Sequence, residues 1–319
     1  MKPQVVVVGS FVQDLCWTCT TFPRAGETVV GRFATGPGGK GSNQAVACGR
    51  TGVPTLYVGA VGEDAFARDA VAFYKAEGIA ARFVRKPKAP TGTAAILVDD
   101  SGQNEIVVAL GANASLRKAD VPEAALKAAR VVVCQFESNL GTTAHVLNVA
   151  GKAGALTVLN PAPMRDDFDP RLLRHVRVLI PNETEFASLV NRIPATGETA
   201  FTAEKLHALA AADLHALIRR VGVGIVIVTL GSRGCFVSLP DSFEFLPAYD
   251  GLRVVDTTGA GDGFVGGFAA GLVRFDGDVR RAARLGNAVA GLSVTKHGTA
   301  PSMPTRLEIE RFLRKRGAI

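Results

Sequence analysis

A glycine turn directly before a helical pattern carries the strongest chemical signal in this sequence. Residues 255–264 read Val-Asp-Thr-Thr-Gly-Ala-Gly-Asp-Gly-Phe, and apolar residues then recur at helical spacing as far as Leu272. The amino terminus of a helix offers free N–H groups and a partial positive charge, which favour an anion such as phosphate. A carboxylate in the first turn, here Asp262, could take a proton from a hydroxyl that attacks the phosphate. Taken alone, the turn also fits a simple helix cap.

A second glycine turn lies near the start of the chain and also leads into a helical pattern. Residues 36–45 read Gly-Pro-Gly-Gly-Lys-Gly-Ser-Asn-Gln-Ala. Glycine lets backbone amides contact a polar ligand closely, and Lys40 and Asn43 add a cation and an amide. The pattern is not a Walker phosphate loop, because its lysine lacks the preceding Gly-x-x-x-x-Gly and the following Ser or Thr. A flexible loop before a helix is the alternative interpretation.

The elements that must position these turns alternate between strand and helix. Short apolar runs predict buried strands at Val5–Gly9, Thr55–Val58, Val131–Cys134, Leu156–Leu159, Val178–Ile180 and Ile225–Thr229. Helical patterns occur at Gly41–Gly49, Ala65–Glu77, Thr142–Ala153 and, as one amphipathic helix, Ala203–Val221. This alternation predicts an α/β fold with a central, mostly parallel sheet flanked by helices. Ligands bind such sheets beyond the carboxyl ends of the strands, and the candidate loops follow strands.

Two stretches interrupt the alternation, at residues 10–36 and 91–110. They lack helical periodicity and contain turn signals such as Asp99-Asp100-Ser101-Gly102. We expect them to form a small separate β-sheet that covers the site as a lid and excludes water. No linker, repeat or low-complexity segment divides the chain, so residues 1–319 are predicted to form a single domain.

Composition excludes several functional classes. The net charge is +7, but the basic residues are scattered and aromatic residues make up only 7% of the chain, so we expect no nucleic-acid partner. No apolar run reaches transmembrane length and no signal-peptide pattern precedes the first strand, so we expect a cytoplasmic protein with no membrane partner. Cys16 and Cys19 form a lone Cys-x-x-Cys without the second pair that a zinc site requires.

Together, the two glycine turns are far more specific than either turn alone. Gly-Gly-Lys-Gly-x-Asn-Gln-Ala near the start and Asp-Thr-Thr-Gly-Ala-Gly-Asp near the end resemble the two signatures of the PfkB family of carbohydrate kinases. Intervening segments such as 61–64, 160–163 and 181–185 match as well, so the resemblance extends through almost the whole chain. It implies ATP-dependent phosphorylation of the 5-hydroxyl of ribose, and a homodimer formed through the β-lid.

The resemblance also assigns roles to residues around the sugar and the transferred phosphoryl group. Asp262 matches the catalytic base of the family. The anion hole, whose amides bind the phosphoryl group, matches Gly259, Ala260 and Gly261. The sugar contacts match Asp14, Gly39, Lys40, Asn43, Glu137 and Asp262.

Nucleotide and metal contacts are implied in the same way. The ATP contacts match Asn182, Thr229, Gly231, Gly234, Gly261 and Asn287, while Glu185 matches a group that acts on Mg²⁺ through water. A potassium site, partly of backbone carbonyls, matches Asp256, Thr258, Ser293, Lys296, Gly298 and Ser302. From the residues alone, Asn182 and Glu185 also fit a capping box. Residues 229–234 fit a surface turn, and Asn287 fits a solvent-facing helix position.

The sequence departs from the family pattern in two places. The family usually reads Gly-Ser-x-Asn-x-Asp at the first strand end, whereas here Val12 replaces the sugar-binding Asn and Asp14 is retained. Valine cannot form a hydrogen bond, which leaves open weaker ribose binding or another acceptor, such as 2-deoxyribose or a nucleoside. A sugar or nucleotide sensor would be expected to have lost Asp262 or its turn. The stretch 191–204 is longer than usual and fits a surface insertion.

Overall fold

The computed structural model describes residues 2–192 and 201–317. The strands are β1 Val5–Val8, β2 Val12–Thr18, β3 Arg32–Gly38, β4 Thr55–Val61, β5 Ala80–Arg85, β6 Gly92–Val98, β7 Asn104–Ala109, β8 Val131–Cys134, β9 Leu156–Leu159, β10 Val178–Leu179, β11 Ile225–Thr229, β12 Gly234–Leu239 and β13 Ser242–Pro247. The helices are α1 Lys40–Arg50, α2 Ala65–Glu77, α3 Glu123–Ala128, α4 Leu140–Lys152, α5 Glu183–Val190, α6 Ala203–Ala208, α7 Ala211–Arg219, α8 Ala260–Arg274, α9 Val279–Ser293 and α10 Arg306–Lys315.

The large sheet confirms the predicted α/β architecture. Its strand order is β13-β12-β11-β10-β9-β8-β1-β4-β5, and only β12 and β13 run antiparallel to their neighbours. Successive residues of β1 point to opposite faces, so that Val5 and Val7 join one hydrophobic cluster and Val6 and Val8 join the other. One cluster contains α1, α8 and α9, and the other contains α4 and α5, so helices cover both faces. The sequence analysis did not predict β5, β12 or β13.

The two predicted lid stretches form a separate four-stranded sheet with the order β3-β2-β6-β7. The pairs β2–β3 and β6–β7 are antiparallel, and a parallel pairing of β2 with β6 joins them. Strand β3 continues to Gly38, which places the end of this sheet directly beside Gly39 and the start of α1. The lid sheet is therefore continuous with the second glycine turn.

The prediction of one amphipathic helix over Ala203–Val221 was wrong. Helix α6 ends at Ala208 and α7 begins at Ala211, because Leu209 and Ala210 are extended, with ψ of 140° and 152°. The two halves pack on different neighbours, α6 on α5 and α7 on β12. Residues 193–200 of the predicted surface insertion lie outside the described residues. In the described ranges, no helix has both the length and the apolar character needed to cross a bilayer.

Candidate active site

The first glycine turn ends at Gly259, which caps the amino terminus of α8. Its backbone is left-handed, with φ of 79°, a conformation that favours glycine. The N–H of Ala260 donates to the carbonyl oxygen of Thr257 at 3.2 Å, while helix geometry leaves the N–H groups of Gly261 and Asp262 without an intrahelical acceptor. A Cβ atom built on Gly261 would meet no atom within 4 Å, so the chain at this position faces open space. The turn can therefore receive an anion.

Asp262 is held by two side-chain amides and does not cap its own helix. Asn43 Nδ2 donates to Asp262 Oδ2, and Gln44 Nε2 donates to Asp262 Oδ1, both at 2.9 Å. Asp262 is only 6% exposed. The two hydrogen bonds fix the orientation of the carboxylate, and they leave a lone pair on each oxygen for another partner. The geometry is that of an oriented proton acceptor.

A close contact between two helices brings Asp262 to these amides. Gly266 lies one turn after Asp262 in α8, and a Cβ atom there would come within 2.4 Å of the Gln44 carbonyl oxygen and 2.6 Å of Ala47 Cβ. Because only a hydrogen occupies this position, α8 approaches α1 closely enough for the short side chains of Asn43 and Gln44 to reach the carboxylate. Gly266 thus determines the distance between the two glycine turns.

Gln44 belongs to a buried amide network that the sequence analysis missed. Its Nε2 atom also lies 3.1 Å from Asn160 Oδ1, and its Oε1 atom accepts from Gln135 Nε2 at 2.6 Å. Asn160 donates in turn to the carbonyl oxygen of Ile180 at 2.9 Å. The available signal was a polar residue directly after each of two buried strands, Gln135 after β8 and Asn160 after β9.

The Glu137 carboxylate lies at the amino terminus of α1. Its Oε2 atom accepts from Ser10 Oγ at 2.6 Å and from the Lys40 backbone N–H at 2.9 Å. A negative charge is favourable at this end of a helix. Gly39 caps α1 with φ of 87°, and a Cβ atom there would come within 2.7 Å of the Val12 nitrogen. Glycine is therefore required at this crossing of lid and helix.

Four carboxylates and one lysine set the charge of the site. Burial alone would lower the pKa of Lys40, but the charges of Asp262, Glu137 and Glu185 outweigh it and raise the pKa, so the ammonium is maintained.

Asn43 Oδ1 is buried and has no hydrogen-bond partner among residues 2–192 and 201–317. A buried amide oxygen without a partner is costly, and a hydroxyl donor from a ligand would satisfy it.

Asp14 is the fourth carboxylate, on the site-facing side of the lid strand β2. Its Oδ2 atom accepts from Thr299 Oγ1 at 2.9 Å. Burial, with smaller contributions from the charges of Glu137 and Asp262, raises the pKa of Asp14 to about 6 despite that hydrogen bond. Val12, two residues earlier on the same face, is buried in an apolar cluster with Ala94 and Ile96.

Gln13 does not replace the amide that Val12 lacks. Its Nε2 atom donates to Thr35 Oγ1 at 2.8 Å on the opposite face of the lid sheet. The position that carries Asn in the family is therefore apolar here, and no neighbour on β2 compensates for it.

The predicted capping box at the start of α5 is confirmed. Glu185 N–H donates to Asn182 Oδ1 at 2.8 Å, and Asn182 N–H donates to Glu185 Oε2 at 2.9 Å. Burial raises the pKa of Glu185, although the Asn182 N–H and the charge of Lys40 act in the opposite direction. Because only one Glu185 oxygen is used in the cap, the other remains as a possible ligand. A single β-bridge to Asn182 brings Thr229, the last residue of β11, to the same edge of the sheet.

The loop after β11 turns on two glycines with different surroundings. Gly231 has φ of 54° and faces open space, whereas a Cβ atom on Gly234 would come within 2.2 Å of the Leu246 carbonyl oxygen.

Asn287 was also considered a solvent-facing helix residue, and that alternative was wrong. Asn287 is buried, and its Nδ2 atom donates to the carbonyl oxygens of Leu246 and Pro247 at 3.3 and 3.1 Å. It therefore anchors the end of β13.

Two of the residues matched to a potassium site, Thr258 and Gly298, are hydrogen-bonded to Asp256. Its two carboxylate oxygens accept the N–H groups of Thr258 and Gly298, both at 2.9 Å, which joins residues 256–258 to the segment after α9. The hydroxyls of Ser293 and Ser302 donate to nearby backbone carbonyls at 2.8 Å.

The Lys296 ammonium forms an ion pair with Glu308 at 2.6 Å, so only its backbone carbonyl could contact a cation. Within the described part of the chain, no group of three or more His, Cys, Asp or Glu residues could hold a metal.

Comparison with known proteins agrees with this geometry. Residues 2–306 match the family described as "pfkB family carbohydrate kinase". The chain is 34% identical to a ribokinase of Mus musculus over 313 residues, covering 96% of this chain and 93% of the mouse protein. It is also 34% identical to a deoxyribokinase of Salmonella typhi, covering 97% of this chain and 98% of that protein.

Solved structures give the same result. A ribokinase from Giardia lamblia is 34% identical with a TM-score of 0.89, covering 99% of this chain and all of that one. An Arabidopsis thaliana ribokinase complexed with ribose and ATP is 31% identical with a TM-score of 0.83, covering 98% of this chain and 99% of that one.

Proposed function

We propose that this chain, which belongs to the PfkB family of carbohydrate kinases, transfers the γ-phosphoryl group of ATP to the 5-hydroxyl of D-ribose, giving ribose 5-phosphate and ADP. The observation that carries the proposal is the buried carboxylate of Asp262, oriented by Asn43 and Gln44 beside the amino terminus of α8. Relatives named ribokinase and a ribokinase structure with ribose and ATP support the choice of acceptor and donor.

Asp262 acts as the general base in this proposal. The 5-hydroxyl oxygen forms a bond to the γ-phosphorus, the bond between that phosphorus and the β,γ-bridging oxygen breaks, and the hydroxyl proton passes to a carboxylate oxygen of Asp262. Each Asp262 oxygen already accepts one amide hydrogen, so the carboxylate is held in one orientation before the sugar arrives. Phosphoryl transfer depends mainly on such alignment and on charge stabilisation.

The amino terminus of α8 and Lys40 would stabilise the charge of the transferred group. The anion hole consists of Gly259, Ala260 and Gly261, where glycine keeps the backbone open to the phosphoryl group. Because the Ala260 N–H already donates to Thr257, the Gly261 amide is the better placed donor. The neighbouring carboxylates keep Lys40 charged, so it supplies a cation between sugar and nucleotide.

Magnesium fits the oxygen of Glu185 that the capping box leaves without a hydrogen bond. Mg²⁺ usually keeps several waters and binds through one or two carboxylates together with substrate phosphates, and one buried carboxylate is what this edge of the sheet offers. When bound, the ion neutralises charge on the β- and γ-phosphates. On the protein side, Asn182, Thr229, Gly231, Gly234 and Asn287 would surround the nucleotide.

A potassium ion fits the oxygens near Asp256. Asp256, Thr258, Ser293, Lys296, Gly298 and Ser302 would hold it, with Lys296 and Gly298 contributing backbone carbonyls. The ion would add positive charge near the anion hole. Without the ion, the Asp256 carboxylate would keep the hydrogen bonds from the N–H groups of Thr258 and Gly298.

The sugar would be held by Asp14, Gly39, Lys40, Asn43 and Glu137. The partnerless Asn43 Oδ1 atom suits a sugar hydroxyl donor, and Asp14 and Glu137 add charged acceptors. A second acceptor, 2-deoxyribose, is favoured by one specific observation: Val12 places an apolar surface where the family has an amide. A pentose that lacks a hydroxyl would lose less binding free energy beside Val12 than ribose, whose hydroxyl would be left without a hydrogen-bond partner there.

We also propose that the protein is a homodimer formed through the lid. The strand register places Trp17, Phe33 and Val107 on one face of the lid sheet, and these side chains are 37%, 56% and 73% exposed. An exposed apolar surface of this kind is typical of a protein interface.

The decisive experiment measures ADP release with ribose, 2-deoxyribose, other pentoses, fructose and nucleosides at matched concentrations. We expect the highest kcat/KM for ribose and product phosphorylated at the 5-oxygen by NMR. A matched pair of variants controls for contaminating kinases. Asp262→Asn should lose the signal, whereas Asp276→Asn, just beyond the other end of α8, should keep it. No sugar-dependent ADP release from the purified chain would refute the kinase and favour a sensor.

A further inference from the structure

Thr299 is a buried hydroxyl at the point where three parts of the site meet. Its Oγ1 atom lies 2.9 Å from Asp14 Oδ2 in lid strand β2 and 3.1 Å from the Pro37 carbonyl oxygen in β3. A Cβ atom built on Gly259 would lie 3.4 Å from Thr299 Cα, so Thr299 also borders the anion-hole turn. None of the roles assigned above includes this residue.

The surroundings of Asp14 make its position depend on Thr299. On one side the Asp14 carboxyl is packed over Gly38 of the neighbouring strand, where a Cβ atom would come within 2.2 Å of Oδ2. On the other side the only hydrogen bond to the carboxyl from a residue in the described ranges comes from Thr299. Glu137 and Asp262 repel the charge of Asp14, so electrostatics do not hold it in the site.

The backbone of Thr299 is itself fixed. The neighbouring Gly298 N–H donates to Asp256 Oδ2 at 2.9 Å, and the Thr299 carbonyl oxygen accepts from Ser302 Oγ at 2.8 Å. The hydroxyl has one proton for two acceptors, Asp14 and Pro37. When Asp14 is ionised, the charged acceptor is preferred because hydrogen bonds to charged groups are the stronger ones.

We propose that Thr299 is a positioning residue for the sugar site: its hydroxyl holds the Asp14 carboxylate towards the sugar and connects the lid to the segment around Asp256. The inference rests on the proposed function, in which Asp14 binds the sugar. Thr299 touches neither the phosphoryl group nor the base, so its loss should act on sugar affinity and leave the chemical step unchanged.

The test compares Thr299→Val, which keeps the shape and removes the hydroxyl, with Thr299→Ser, which restores it. We expect Thr299→Val to raise KM for ribose by about 5- to 30-fold, as for a lost hydrogen bond to a charged group. Its kcat and its KM for ATP should stay unchanged, and Thr299→Ser should be close to the parent. Thr295→Val is the matched control, because the Thr295 hydroxyl donates only to the Leu292 carbonyl oxygen.

A double-mutant cycle with Asp14→Ala, which removes the acceptor of the Thr299 hydroxyl, separates positioning from a general structural effect. If Thr299 acts through Asp14, adding Thr299→Val to Asp14→Ala should leave KM for ribose unchanged. An equal rise in both backgrounds, or a Thr299→Val variant that behaves like Thr295→Val, would overturn the positioning role alone. An Asp14→Ala variant with the KM of the parent would instead remove the proposed sugar-binding role of Asp14, on which the positioning role rests. Thermal unfolding of each variant checks that it is folded. If Thr299→Val does not fold, Thr299→Ala takes its place in the comparison.

Discussion

Gln44 Nε2 lies 2.9 Å from Asp262 Oδ1, although 218 residues separate the two in the chain. Gln44 also contacts Asn160 and Gln135, so the orientation of the Asp262 carboxylate depends on the ends of two strands of the large sheet. The proposed base is therefore held by the sheet and by α1 together, and its own helix contributes only the backbone that carries it.

Replacing Asp262 with Asn should nearly abolish turnover while sugar binding persists. An amide cannot accept the hydroxyl proton, and loss of a general base typically lowers the rate by about 10²- to 10⁴-fold. Ribose binding to the variant can be measured by isothermal titration calorimetry. Asp276→Asn serves as the control. Turnover of Asp262→Asn close to that of the parent would refute its role as base.

Replacing Val12 with Asn should shift the enzyme towards ribose. The new amide would lie on the face of β2 that carries Asp14, where a sugar hydroxyl could pair with it. We expect the ratio of kcat/KM for ribose over 2-deoxyribose to rise by about 5- to 100-fold, which is the discrimination that one buried hydrogen bond provides. Val98→Asn, in the same apolar cluster but at the far end of β6, controls for a polar group in the lid. An unchanged ratio would mean that Val12 does not face the sugar.

The raised pKa of Asp14 predicts a pH-dependent cost in stability. Because burial raises its pKa from 3.8 to about 6, folding favours the protonated carboxyl, and this stabilisation is lost as the pH rises from about 4 through 6. Without ligands at pH 8, the free energy of unfolding of the Asp14→Asn variant should therefore be about 1–2 kcal/mol higher than that of the parent. The difference should shrink towards pH 4. A constant difference across this range would contradict the assignment.

Exchanging NaCl for KCl should raise activity if residues near Asp256 bind potassium. A coupling free energy of about 1 kcal/mol or more corresponds to an increase of about 5-fold or more in kcat/KM. Protein dialysed free of potassium is assayed in both salts at equal ionic strength. Asp256→Asn should abolish the difference, since it removes the only full negative charge in the set. Equal rates in the two salts for the parent would remove potassium from the proposal.

Replacing Phe33 with Glu should dissociate the proposed dimer. Phe33 pairs with Trp17 across the lid sheet with ring centroids 5.0 Å apart, and a charge there would be buried in an interface. Light scattering coupled to size-exclusion chromatography should give one chain mass for this variant and two for the parent. Leu307→Glu, at a 64% exposed position on α10, is the control. A monomeric parent at micromolar concentration would contradict the prediction.

Local patterns predicted the parts of the molecule that depend on neighbouring residues. Asn182 and Glu185 have capping-box spacing, and the box is present because only one turn of helix is needed to form it. The parallel strands could also be predicted from their continuous apolar runs, because a strand that is buried on both faces of the sheet has no solvent-facing polar positions.

Features that depend on distant parts of the chain escaped prediction. Helices α6 and α7 share one amphipathic pattern, but tertiary packing on α5 and β12 divides them at Leu209 and Ala210. Gln44 stood in a recognised motif, yet its partners Asp262, Gln135 and Asn160 come from three other segments. No local pattern encodes such a network, because its members meet only when the sheet is assembled.

The hydrogen bond from Asn43 to Asp262 spans 219 residues, which has a consequence for synthesis of the protein. A ribosome adds residues from the amino terminus at about 5–20 per second, so α1 is made long before α8 emerges. Until then the carboxylate and its two amide donors cannot meet, and a nascent chain lacks the oriented carboxylate that we propose as base. We therefore expect no kinase activity until nearly the whole polypeptide has left the ribosome and the Gly266 contact has formed.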